Sequence, residues 1–147
     1  MATDIYRSIG IDTSDLNTGA ATVGVSGSTA TFSADLPLNI GVGDKLTYDG
    51  NTAYIHGRTS ASVYTIKSAT GGAPVEIGAG EACTIHRSYS SLGAFESGED
   101  QDLVANDRKM FGACYADGDD TAYVAFGGWT TDATRLIRIF TPVSHHH

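Results

Sequence analysis

The chain has 147 residues, 41% of them hydrophobic and 18% charged, with a net charge of −8. That length suits one domain, or one with a small appendage, able to bury roughly two-thirds of its unfolded surface without a staple. The composition excludes disorder, and the acidic balance with dispersed basic residues argues against a surface that holds nucleic acid or anionic lipid.

The N-terminus, MATDIYRSIG, carries neither the charged nor the apolar region of a signal peptide. No apolar run approaches the ~20 residues of a membrane span, so no membrane insertion is expected. From Val23 onward the periodicity is that of strands. Val23 and Val25 alternate with small residues, then Ala30, Phe32 and Ala34 follow, then Leu46 and Tyr48, Ala53 and Ile55, Tyr64 and Ile66, and Thr84-Ile85-His86. Gly, Asp, Asn or Ser bounds each run. Short strands at this spacing predict a sandwich or barrel.

A small echo recurs as SGSTATF at 26–32, DGNTAYI at 49–55 and DGDDTAYV at 117–124. Gly in each turn supplies positive φ cheaply, and Asp, Asn and Ser bond their own backbone. Thr, Tyr, Phe, Ile and Val then favour an extended exit. The echo predicts three hairpins. Cys83 and Cys114 lie in predicted strands; two cysteines alone leave both the thiol and the disulfide state open.

Between 90 and 107 the pattern changes. Ser90-Ser91 precedes Leu92 and Phe95, which share one face of a short helix that Gly98 would stop, and Asp102 offers an N-cap for Leu103-Val104-Ala105. After this insert, residues 120–144 read as strand, Gly-Gly-Trp turn, and the strand Leu136, Ile137, Arg138, Ile139 and Phe140, followed by histidines that resemble a purification tag. A strand carries unpaired backbone donors and acceptors along both edges. These five residues are therefore the predicted self-association edge.

The whole predicts an all-β fold: a small β-sandwich or barrel, a short helical insert at about 90–107, and a C-terminal β-hairpin or β-helix-like coil. The predicted division is a β-rich module at 1–88, a helical and β-helix-like cap or first coil at 89–143, and a tag-like tail at 144–147.

The chain offers little recognisable chemistry. Neither G-x-S-x-G nor a P-loop occurs, and Gly41-Val42-Gly43 and Gly78-Ala79-Gly80 read as turns. His56 and His86 read as partly exposed strand residues, and two histidines with two thiols make a zinc site only if the fold converges them. Asp117, Asp119 and Asp120 supply hard oxygen ligands of the kind calcium takes, without EF-hand spacing; the default is a solvated turn. Trp129, after two glycines, could stack a sugar ring with Tyr115 and Tyr123 nearby, although a tryptophan fixing the turn in a core is the simpler reading.

Three stretches carry a resemblance: SYSSLGAFESG at 88–98, DLVANDRKMFGACYADGDDTAYV at 102–124 and GWTTDATRLIRIFTPV at 128–143. They resemble a module in large phage and bacterial surface proteins that introduces a right-handed parallel β-helix of the pectate-lyase or tailspike type. NIGVGDKLTYDG at 39–50 and AYIHGRTSASVYTIKSATGGAP at 53–74 are similar to the small β-domain that often precedes it. The resemblance implies an extracellular, cell-surface or virion setting, and it brings no catalytic residue onto this chain. Solenoid coils need stacked neighbours or caps, and an N-terminal β-domain makes such a cap.

The expected function is a non-catalytic structural or attachment module of a surface, fibre or virion protein. Its expected partners are further copies or a downstream β-helix. A carbohydrate-binding module, with a glycan as partner, is the alternative, and a polysaccharide-degrading enzyme fragment ranks below both.

Overall fold

The computed structural model describes residues 1–142 and contains two sheets. Seven strands form an antiparallel sheet: β2 (Val23–Ser26), β3 (Thr29–Phe32), β4 (Lys45–Tyr48), β5 (Asn51–Arg58), β6 (Val63–Lys67), β7 (Ile77–Glu81) and β8 (Cys83–His86). Their spatial order is β7-β2-β3-β6-β5-β4-β8. The two terminal strands of that order, β7 and β8, are neighbours in sequence, with Ala82 alone between them. One bent segment thus pairs with β2 through its first half and with β4 through its second, which nearly closes the sheet into a barrel.

Local chemistry explains the hairpins. Ser26 pairs with Thr29 around Gly27, whose φ is +59°, and Tyr48 pairs with Asn51 around Asp49-Gly50. Asp49 and Gly50 have φ of 44° and 72°, the two consecutive positive values of a twist-matched two-residue turn. Alternation then sends Val23, Val25, Phe32, Leu46, Ile55 and Ile66 into one core, each at most 4% exposed.

The second sheet is parallel. It holds β1 (Thr3–Ile9), β9 (Arg108–Cys114) and β10 (Ile137–Phe140) in the order β1-β9-β10. Parallel register aligns like residues in rows. Ile5, Met110 and Ile137 form an aliphatic row, and Tyr6 faces Phe111, their rings stacked with centroids 4.7 Å apart. Two helices connect the sheets: α1 (Leu92–Glu99) and α2 (Leu103–Asn106). Ser91 Oγ accepts from Ala94 N at 3.0 Å, and Asp102 Oδ1 accepts from Ala105 N at 2.8 Å, so each helix starts on the cap its sequence offers. Phe95 and Leu103 are fully buried with Ile5, Ile9 and Met110 in a second core.

Four expectations change. β1 leaves the N-terminal module and pairs with β9, so the sheets do not divide at residue 88. The third echo, 117–124, forms no hairpin, and residues 121–127 are not a strand. Both edges of β9 are taken by β1 and β10, which leaves no edge for a strand at 121–127 to join there. The C-terminal part forms no hairpin; β10 pairs in parallel with β9. Gly98 also lies inside α1 rather than ending it. Both cysteines are free thiols, and no helix among the described residues is long and apolar enough to cross a membrane.

Candidate interaction site at the edge of the parallel sheet

The two edges of the parallel sheet differ. Along β1, Ser8 N donates to Gly43 O at 2.9 Å, Tyr89 N to Ser8 O at 3.0 Å and Gly10 N to Tyr89 O at 3.0 Å. That edge is covered at its Ser8–Gly10 end. β10 pairs with β9 along one side only, and among the described residues no strand pairs with its other side. Leu136 and Ile139 are 37% and 39% exposed, Arg138 is exposed, and Ile137 and Phe140 are half-buried. The five predicted edge residues lie together at β10, whose inner side bonds to β9 (Leu136 O accepts from Met110 N at 3.0 Å) and whose outward backbone groups are the unpaired strip, a template for strand addition.

The other predicted site residues are not gathered. Trp129 stacks on Phe95 with centroids 6.2 Å apart and belongs to the second core, its Nε1 buried without a partner. Tyr115 is buried, with its ring under the Arg87 guanidinium at 3.8 Å and its hydroxyl donating to Val42 O at 2.8 Å. Tyr123 is 92% exposed. A buried Tyr115 presents no face to a sugar, so these three make no stacking platform.

The aspartates separate as well. Asp117 is bound to Arg87 through both oxygens, at 2.8 and 2.9 Å. Asp120 accepts from Leu92 N at 2.8 Å and from Ala122 N at 3.2 Å, and Asp119 is exposed. Among the described residues no group of three or more His, Cys, Asp or Glu is arranged to hold a metal ion. The calcium reading is thus corrected: one carboxylate serves an arginine and another serves a helix start.

Two buried arginines, which sequence reading passed over, fasten the barrel to the parallel sheet. Arg87, just beyond β8, donates to both oxygens of Asp44 at 2.9 and 2.8 Å, to Asn39 O at 3.0 Å and to Asp117. Against the cost of burial, Asp117 and Asp44 hold the Arg87 pKa above its ordinary value. Burial pushes Asp44 up to about 6 against the pull of Arg87. Arg7 of β1 lies over the Tyr54 ring of β5 at 3.7 Å, pairs with Glu99 at 2.6 Å and donates to Ala69 O at 2.8 Å. The only sequence signal was an arginine beside apolar strand positions, and a charge there is compatible with solvent until the partner strands are known.

His56 of β5 sits where the barrel wall meets the parallel sheet, edge-on to Tyr6 at 5.0 Å, and its Nε2 is buried without a partner. Burial, then the cations of Lys67 and Arg7, push its pKa down to about 4 against the pull of Asp4. A depressed histidine contributes stability that is present above pH 6.5 and lost as pH falls through about 4. Asp44 acts with the opposite sign, favouring the fold below its unfolded value and losing that contribution as pH rises through about 6. The difference between wild type and His56→Gln isolates the histidine. Urea titrations at pH 7 and pH 4 are expected to show that difference moving toward the variant by about 1–2 kcal/mol at the lower pH, a value discounted for solvent reaching the ring. A difference that does not change with pH removes the histidine from the account.

Comparison with protein-family models, with curated proteins and with solved structures finds no match for this chain.

Proposed function

We propose that this chain is a non-catalytic structural or attachment module of a surface, fibre or virion protein, and that it associates with further copies of itself by strand addition at β10. The observation that carries this reading is the asymmetry of the parallel sheet, whose β1 edge is covered at its Ser8–Gly10 end by Gly43 and Tyr89 while the outer edge of β10 has no strand partner among the described residues. Two features support it. The row Ile5–Met110–Ile137 is the kind of repeated stacking that one more strand would continue, whereas the Tyr6–Phe111 row ends at Arg138 on β10. The barrel is joined to the parallel sheet through two buried arginine clusters, Arg7 with Glu99 and Arg87 with Asp117.

Light scattering after size exclusion, run over a range of concentrations, tests the reading. Wild type is expected to associate with rising concentration, and Ile139→Lys, which puts a charge beside the outer edge and loses some packing over Gly112, is expected to stay monomeric while remaining folded by circular dichroism. A wild type that is monomeric throughout, or an Ile139→Lys variant that associates equally, sinks the proposal.

A further inference from the structure

Two adjoining cavities lie between the barrel and the parallel sheet, of ≈ 420 and ≈ 290 Å³, and share Val42 and Phe140 in their walls. The smaller is lined by Tyr6, Phe111 and Phe140 from the parallel sheet and by His56 from β5, with Arg138 also in its wall. The larger is lined by Arg58, at the end of β5, with Gly41, Gly57 and Pro142. The three aromatic rings are mutually packed, Tyr6 on Phe111 at 4.7 Å and Phe140 edge-on to both at 6.5 Å.

The charged side chains that line this wedge are cationic, with Asp4 close enough to act on Tyr6 and His56 from outside the lining. Arg58 and Arg138 line it, and among the described residues no Asp or Glu does, in a protein whose net charge is −8. Two of its buried polar atoms, Nε2 of His56 and Nη1 of Arg58, have no hydrogen-bond partner. Buried polar groups in folded proteins are nearly always paired, so these two mark the seam as imperfectly satisfied, and the Arg58 guanidinium also lies over the Tyr64 ring at 5.7 Å. Small-molecule sites share part of this character, a concave, mostly apolar wall of a few hundred Å³ with a few polar groups; here Arg58 lines the larger cavity and Arg138 the smaller.

We infer that this wedge binds a small planar carboxylate, an aromatic or heteroaromatic acid whose ring lies among Tyr6, Phe111 and Phe140 and whose carboxylate is held by Arg58 and Arg138. Planarity is set by the aromatic walls, which favour stacked or edge-on rings. The carboxylate is set by the guanidinium groups, whose fork of donors matches two oxygens. The inference goes beyond the attachment reading; the two share Arg138 and Phe140 of β10, but Arg58 and His56 lie on the barrel and report on the ligand alone.

Benzoate titrated into isotope-labelled wild-type protein at pH 7, followed by the side-chain NMR signals of His56 and Arg58, tests it, with benzyl alcohol as the neutral analogue. A ligand of this size is expected to saturate with Kd on the order of 1 mM. Both sets of signals are expected to shift with benzoate and about tenfold more weakly with benzyl alcohol, while the Trp129 indole stays still. Arg58→Gln is expected to weaken binding about tenfold. Arg138→Gln, at an exposed position, is the second variant and is expected to weaken binding too. No saturable shift by roughly 10 mM benzoate, an equal response to benzyl alcohol, or unchanged affinity in both variants overturns the inference. Association measured by light scattering is a separate readout, so failure of one reading leaves the other standing.

Discussion

Replacing Arg87 with methionine is expected to destabilise the protein by about 3–5 kcal/mol, read as a fall in the urea midpoint at pH 7 with the slope unchanged. The Arg87 side chain is 1% exposed and that of Asp44 is 0% exposed, so removing the cation strands a carboxylate that water cannot reach. The same change frees Asp117, removes a donor from Asn39 O and uncovers the Tyr115 ring. Elements from three parts of the chain lose their common partner at once. Asp44→Asn in the Arg87→Met background keeps an acceptor for Gly41 N and removes the stranded charge, so it should recover a large part of the loss. If Arg87→Met costs less than about 1 kcal/mol, the cluster is not what joins the barrel to the sheet.

Gly43→Ala is the second large effect, at about 3 kcal/mol or more. Gly43 has φ of +87°, and a Cβ there would lie 2.4 Å from both Arg7 C and Ser8 N. Backbone atoms of β1 cannot yield as the tip of a side chain can, and Gly43 O also accepts from Ser8 N and Ser88 Oγ. Gly27→Ala is the control. Gly27 shares the positive φ, at +59°, but a Cβ there meets nothing within 4 Å. It should cost only about 1 kcal/mol, so the gap between the two variants reports the close approach of barrel and sheet. Equal midpoints for both variants would place the whole effect in backbone conformation and none in that contact.

Legibility in the sequence followed the range of the interaction. The hairpins at Gly27 and at Asp49-Gly50 and the caps at Ser91 and Asp102 were readable because each depends on residues within a few positions. The echo at 117–124 carries the same local signal and failed, because pairing also needs a free edge and β9 has none. Trp129 and Tyr115 illustrate the same limit from the side-chain end. An aromatic after two glycines reads equally as platform or as core, and only the positions of Phe95 and Arg87 decide.

By itself the sequence determined that the fold is built of strands, where its tight turns and helix starts lie, and that a short helical insert interrupts it. Those follow from φ preferences, alternation and capping, which act locally. Tertiary structure alone decided that β7 and β8 close the barrel, that Thr3 pairs with Arg108, that Arg87 gathers Asp44 and Asp117, and that His56 and Arg58 share a wedge with three aromatic rings. The physical reason is that burial and parallel pairing belong to partners far apart in the chain. A charged or aromatic residue has no fixed meaning until those partners have excluded water from it.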